Sequence, residues 1–244
     1  MESYTEFARV YDEFMDQTPY DLWCDNLLTI LKKHHIKENG SILELGCGTG
    51  KMTRRLEKKG YQMTGLDNSL EMLEVAGNMQ EDDILYILQD MVSMEMPGKF
   101  DAVISVCDCM NYILEEEDLK MVFQKVRSYL KEEGVFIFDM NAPYKYEKLL
   151  SQNTFAEDRE DASFIWDNFY DEQERINEYQ LSLFIKNAEG TYDKYEEEHY
   201  QKAYDAKKIS QMLENAGFSK VTILDVDTMK EPVQKTERFY FIAL

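Results

Sequence analysis

The chain has 244 residues, room for one α/β domain of ordinary size plus an embellishment. Hydrophobic residues make up 44% of it, enough to bury a sizeable core, which excludes a wholly disordered protein. Forty-eight acidic residues against 27 basic ones give a formal net charge of −21, a field that repels a phosphate backbone and argues against a general nucleic-acid binder.

From Ser3 to about Ile36 apolar residues recur at helical spacing: Tyr4, Phe7, Ala8, Tyr11, Phe14 and Met15, then, after Pro19, Leu22, Trp23, Leu27, Leu28 and Leu31. Asn39-Gly40 breaks the pattern, and Ser41 to Leu45 is an apolar run of strand length. Gly46-Cys47-Gly48-Thr49-Gly50 follows, and a basic helical stretch from Lys51 to Lys59 ends at Gly60. Tyr61 to Leu66 reads as a second strand with Asp67 at its tip, and Ser69 is placed to cap a helix running to about Met79. Ile84 to Leu88 reads as a third strand, Phe100 to Val106 as a fourth, Glu115 to Leu130 as a helix and Gly134 to Phe138 as a fifth strand. Strands that are apolar throughout, separated by helices, imply a parallel sheet covered on both faces: a doubly wound α/β domain.

The rhythm changes after Leu150. Between Ala162 and Tyr204 apolar and polar residues alternate, with turns at Asp171–Glu174 and Asn187–Gly190, which predicts an antiparallel meander of three strands. Residues 157–198 hold 14 acidic and four basic side chains, so this segment is strongly negative. The expected division is therefore residues 1–150 with 205–244 as one domain, and 151–204 as an inserted antiparallel β lid. Trp166, Phe169, Tyr170, Tyr179, Tyr192, Tyr195 and Tyr200 are expected to wall the substrate cavity from that lid. Asp205 is then placed to cap a helix ended by Gly217, and Val221 to Val226 and Arg238 to Ala243 read as two closing strands.

The strongest chemical signal is Glu44-Leu45-Gly46-Cys47-Gly48-Thr49-Gly50 between a strand and a helix. Closely spaced glycines let a ligand approach the main chain where no Cβ could be tolerated, and the helix N-terminus beyond offers N–H groups to an anion. Asp67 stands seventeen positions past Gly50, where a carboxylate can accept both hydroxyls of a ribose. The spacing is G-x-G-x-G, whereas the dinucleotide fingerprint is G-x-G-x-x-G.

At this point the sequence resembles the class I S-adenosylmethionine-dependent methyltransferases, whose first motif is E/D-x-G-x-G-x-G. Further segments fall in the family's order: Asp67, Gln89-Asp90-Met91, Phe100-Asp101-Ala102-Val103, and Leu130 to Phe136. The resemblance implies a seven-stranded Rossmann-like sheet of order 3-2-1-4-5-7-6 with the seventh strand antiparallel. It also implies a helical cap carried by Tyr4-x-x-Phe7-Ala8-x-x-Tyr11-Asp12, as in the small-molecule branch. S-adenosylmethionine is the implied cofactor and a small molecule the implied methyl acceptor. Glu44 belongs to the first motif; Gly46, Cys47 and Gly48 would pass under the methionine and ribose. Asp67 would hold the ribose hydroxyls, Asn68 would lie beside the adenine, Asp90 would accept from its amino group and Met91 would pack on the ring. Cys107 would present its carbonyl to the methionine ammonium, with Tyr11 and Arg54 as candidates for the carboxylate.

Candidates for catalysis or acceptor contact are Asp108, Asn111 and Tyr112 after the fourth strand, and Tyr170 and His199 in the insertion. Asn141-Ala142-Pro143-Tyr144 is similar to the N/D-P-P-Y motif of amino-nitrogen methyltransferases, but it follows the fifth strand instead of the fourth, so Asn141 reads as a loop cap and Tyr144 as a helix start. Two alternatives stay open: an NAD(P)-dependent Rossmann oxidoreductase and a non-catalytic binding module on the same fold. Tyr144-x-x-x-Lys148 is the nearest approach to an oxidoreductase pair, and no serine precedes it. Cys24, Cys47, Cys107 and Cys109 form no C-x-x-C pair, so no metal site is expected and the thiols should be reduced. With no bilayer-length apolar run and no basic-then-apolar leader, the expectation is a cytoplasmic protein, monomeric or homodimeric, with no membrane or nucleic-acid partner.

Overall fold

The structure, a computed structural model, describes residue 4, residues 6–78 and residues 83–244. In chain order the elements are α1 (Phe7–Phe14), α2 (Tyr20–Lys33), β1 (Ser41–Leu45), α3 (Lys51–Glu57), β2 (Gln62–Asp67), α4 (Leu70–Gly77), β3 (Leu85–Leu88), β4 (Phe100–Ser105), α5 (Glu116–Tyr129) and β5 (Leu130–Asn141). There follow β6 (Thr154–Asp158), β7 (Ala162–Asp171), β8 (Ile176–Lys186), β9 (Tyr192–Lys202), α6 (Ala206–Asn215), β10 (Val221–Asp225) and β11 (Arg238–Ala243). A 3-10 turn spans Cys109–Tyr112. The helix ends expected at Ser3 and Met79 fall outside the described residues.

Seven strands form one sheet in the order β10-β11-β5-β4-β1-β2-β3. All its neighbours are parallel except β11, which runs antiparallel to both β5 and β10. This is the Rossmann-like methyltransferase topology expected from the sequence. Alternate residues of each central strand enter opposite core layers, as the period of two demands. Leu43, Val103, Phe136, Phe138 and Phe241 face one layer with Phe123, Leu119 and Leu213 of α5 and α6. Ile42, Ala102, Ile104, Ile137 and Tyr240 face the other with Leu27 and Leu31 of α2 and Leu56 of α3. In α5 the buried residues Leu119, Val122, Phe123 and Val126 make the single apolar stripe that a one-sided helix requires.

The inserted sheet has four antiparallel strands, β6-β7-β8-β9, where the sequence predicts three. The additional edge strand is β6; its side chains are mostly exposed, so it carries no alternating apolar face and joins through backbone pairing to β7. Nor does the Asp205 side chain cap α6. It takes a bidentate pair from Arg175 (2.6 and 2.9 Å), tying the β7–β8 turn to the start of that helix.

The aromatics of this sheet are also placed differently from the cavity walls expected. Phe164, Trp166 and Tyr195 pack with Leu181 and Leu183 against Val10 and Phe14 of α1, and Tyr170 and Tyr179 cluster with Tyr146. The sheet thus braces α1, and α1 covers the site. No helix among the described residues is long and apolar enough to cross a membrane.

Candidate functional site

The chain after β1 makes three left-handed glycines, with φ +68° at Gly46, +53° at Gly48 and +75° at Gly50. A Cβ on Gly46 would lie 2.5 Å from Cys109 Sγ, so the loop after β4 packs directly on this turn. A Cβ on Gly48 would meet nothing within 4 Å: there the main chain faces open space. The Gly48 N–H donates to Asp67 Oδ2 (2.7 Å) and the Ser69 N–H to Asp67 Oδ1 (2.9 Å), so one carboxylate draws the first and second strand-end turns together. Burial pushes the Asp67 carboxyl pKa up, against the pull of those amides. Ser69 caps α4 as expected, its Oγ accepting from Met72 N–H at 3.1 Å.

Behind the turn, Glu44 is 2% exposed and takes a hydrogen bond from Thr53 Oγ1 of α3 at 2.5 Å. Burial pushes its carboxyl up to about 8, with Asp67 adding to the rise and Thr53 opposing it, so Glu44 holds a proton at neutral pH. It fastens β1 to α3 without a net charge.

A cavity of about 820 Å³ runs across the carboxyl ends of the parallel strands, bordered by Gln89–Val92 after β3, Asp67–Met72 after β2, the glycine turn after β1, and Cys107 and Cys109 after β4. Tyr4, Tyr11, Tyr20 and Tyr112 line it as well. This is the crevice in which open α/β sheets bind ligands. Its cover is anchored by the hydrogen bonds of Thr49 Oγ1 to Asp12 Oδ1 (2.7 Å) and Lys51 Nζ to the Asp12 carbonyl (3.0 Å). Glu197 of β9 accepts from the Tyr4 and Phe7 N–H groups, both at 2.9 Å, and so caps α1 from the inserted sheet.

Ten of the eleven residues expected to form a cofactor site border this one cavity: Tyr11, Glu44, Gly46, Cys47, Gly48, Asp67, Asn68, Asp90, Met91 and Cys107. Arg54 does not; its Nη1 turns back to donate to the Thr49 carbonyl (2.8 Å), which stiffens the turn. Asp90 Oδ1 accepts from Val92 N–H at 2.8 Å, an Asx turn that shapes the loop after β3. Cys107 and Asp108 are consecutive left-handed residues (φ +64° and +54°), held by Asp139, which accepts from both N–H groups at 3.0 and 2.6 Å.

Of the catalytic candidates, Tyr112 borders the cavity and the other four stand outside its lining. Asp108 is paired with Arg238 (2.6 Å) and accepts from Gln201 Nε2 (2.6 Å). Asn111 is buried, its amide donating to the Lys202 carbonyl (2.8 Å) and accepting from Asn141 N–H (2.9 Å). Tyr170 stacks on Tyr146 at 6.1 Å. His199 lies behind the wall, its Nδ1 3.2 Å from the Tyr112 hydroxyl. Asn141 ends β5 buried in polar contacts, not as a loop cap. All four cysteines are free thiols.

Sequence reasoning missed Glu197 and gave no part to Gly65. A Cβ on Gly65 would come within 2.8 Å of Cys47 Sγ and 2.9 Å of the Tyr86 ring, so this glycine makes room for the turn's own side chain. Glu197, His199 and Gln201 alternate along β9 and are all buried, a period-two polar face that was readable in an otherwise acidic strand.

Residues 42–134 match the model of a methyltransferase domain. Over 243 residues the chain is 37% identical to "Putative methyltransferase YqeM" of Bacillus subtilis (strain 168), spanning 98% of this chain and 96% of that one. A crystal structure of an S-adenosylmethionine-dependent methyltransferase from Clostridium acetobutylicum ATCC 824 superposes with a TM-score of 0.87 at 30% identity, covering 99% of this chain and 98% of that one. The sugar N-methyltransferase KedS8 from Streptoalloteichus sp ATCC 53650 shares the fold at 16% identity, with a TM-score of 0.78 over 95% of this chain and 92% of that one.

Proposed function

We propose, from the premise that this chain belongs to the class I S-adenosylmethionine-dependent methyltransferases, that it methylates the nitrogen of a small-molecule amine. Its residues fit the cofactor. Gly48 exposes main chain to the cavity with no Cβ in the way, and the Asp67 carboxylate beside it is fixed by two amide bonds. With the ribose on Asp67 at the end of β2, the adenine would fall to the residues after β3 and their neighbour, Asn68, Asp90 and Met91, which border the same cavity. The glycine turn, Tyr11 and the Cys107 carbonyl would then hold the methionine end. Bound S-adenosylmethionine supplies an electrophilic sulfonium methyl and leaves as a neutral thioether, so no protein acid is required.

The protein's share is to orient the acceptor and exclude water, and orientation alone can supply about 7–11 kcal/mol of a displacement barrier. The observation that carries the acceptor class is the tyrosine chamber. Tyr4 and Tyr11 meet edge to face at 6.0 Å and Tyr4 and Tyr112 at 5.8 Å, all bordering the cavity. Aromatic faces and phenol oxygens suit a cation or an amine, and a chain of net charge −21 attracts one. Sugar amines are the acceptors of the fold neighbour KedS8 by its description as a sugar N-methyltransferase. The inserted sheet serves this reading as the part that holds α1 closed.

The test is a panel of small amines, aminosugars among them, each paired with its N-acetylated form, with release of S-adenosylhomocysteine as readout. Turnover confined to free amines is expected; equal turnover of the N-acetylated forms would overturn the acceptor class.

A further inference from the structure

Behind the tyrosine chamber four polar groups connect in a line. The Tyr4 and Tyr112 hydroxyls are 2.7 Å apart and both side chains border the cavity. The Tyr112 hydroxyl is 3.2 Å from His199 Nδ1, and His199 Nε2 is 3.2 Å from Glu197 Oε2. His199 and Glu197 are 4% and 2% exposed.

Donor and acceptor logic sets the hydrogens. Burial alone would push the Glu197 carboxyl pKa up, but the bonds from His199 and from the Phe7 and Tyr4 amides outweigh it and hold the group below its ordinary value. An ionised carboxylate only accepts, so His199 carries its hydrogen on Nε2 and keeps a lone pair on Nδ1. That lone pair takes the Tyr112 hydrogen. With its one hydrogen committed, Tyr112 must accept from Tyr4, and Tyr4 is left with lone pairs for a donor in the cavity. Burial raises the pKa of both phenols, so each stays neutral and hands on a proton without storing charge.

We infer that Tyr4, Tyr112 and His199 form a proton relay that deprotonates the bound acceptor, with Glu197 as the positioning residue that orients His199 and balances its charge. The role rests on the methyl-transfer reading above. An amine binds as an ammonium and has no lone pair with which to attack. In the relay one N–H bond of the acceptor breaks and its electron pair stays on nitrogen. The proton passes to Tyr4 Oη as the Tyr4 hydrogen moves to Tyr112 Oη and the Tyr112 hydrogen to His199 Nδ1. The result is a neutral amine and an imidazolium against the Glu197 carboxylate, and the proton goes to water after the product leaves.

The groups facing His199 are Glu197 on its own strand, Tyr179 opposite it on β8, Tyr112 from the 3-10 turn and Tyr4 before α1. Asp108, paired with Arg238, acts on Tyr112 through space.

The first test needs neither substrate nor cofactor: nitrogen-15 NMR of the imidazoles, with His199 assigned by its loss in His199→Gln. The Nε2–H tautomer is expected, and Glu197→Gln should redistribute the His199 tautomers toward Nδ1–H. An Nδ1–H tautomer at His199 in the wild type overturns the relay. The second test uses the amine that turns over fastest in the panel. Tyr112→Phe and His199→Gln should each lower kcat about 100-fold or more with KM little changed. An unchanged kcat in His199→Gln refutes the inference. Calorimetric binding of S-adenosylhomocysteine to the wild type is measured alongside; its absence defeats the methyl-transfer reading, while the tautomer still decides the relay.

Discussion

Glu44→Gln is the substitution whose effect follows most directly from the structure. Glu44 is buried beneath the glycine turn, and its carboxyl is raised from 4.5 to about 8 in the folded protein. Between those values the folded chain holds a proton at this position that the unfolded chain has released. Stability therefore falls as pH rises through the window: it is full below about 4.5 and lost progressively up to about 8. The slope from one such group is about 1.4 kcal/mol per pH unit, so the climb from pH 5 to 7 removes about 3 kcal/mol. Glutamine keeps the shape and the acceptor for Thr53 Oγ1 but has no proton to lose. Asp67 and Asp139, also raised by burial, contribute their slopes to both proteins and largely cancel in the difference. Urea unfolding of both proteins at pH 5, 6, 7 and 8 is the assay. The two should be of similar stability at pH 5, with the variant ahead by a growing margin above it. Equal slopes across the range would show that Glu44 is already ionised in the fold and refute its role as a neutral fastener.

Two further substitutions separate binding from folding. Gly48→Ala places a methyl in the open space of the cavity at φ +53°; it should cost about 1–2 kcal/mol of stability in thermal unfolding, yet weaken S-adenosylhomocysteine at least tenfold by calorimetry, and full affinity would count against approach of the ligand at this glycine. Arg238→Ala leaves Asp108 and the fully buried Asp139 without their guanidinium and should cost about 3–5 kcal/mol in urea unfolding, less at acid pH, where the carboxyls can protonate; a loss below about 1 kcal/mol would mean the cluster is already solvated.

What the sequence disclosed was local and repetitive. Three glycines in five residues between a strand and a helix mark a close-approach turn, Ser69 three positions before Met72 is a cap, and apolar strands between helices are a covered sheet. Each of these is enforced by backbone sterics or by burial within a few residues. The contacts that escaped are the long-range ones. Glu197 meets Tyr4 across 193 residues and Arg238 meets Asp108 across 130, and no spacing rule links such positions. Arg54 misled for a related reason: its distance from the turn allows either the cavity or the Thr49 carbonyl, and the nearer acceptor has it. The lid aromatics alternate as a cavity wall would, but alternation says only that one face is buried, and here α1 buries it.

The central claim is that the turn at Gly46–Gly50 and the Asp67 carboxylate hold the nucleoside of the methyl donor. A crystal structure of the complex with S-adenosylhomocysteine tests it most directly. Both ribose hydroxyls on Asp67, with the adenine between Asn68 and Met91 and the amino-acid end toward Tyr11 and Cys107, is the predicted result. Ligand bound elsewhere, or ribose hydroxyls turned away from Asp67, would contradict it.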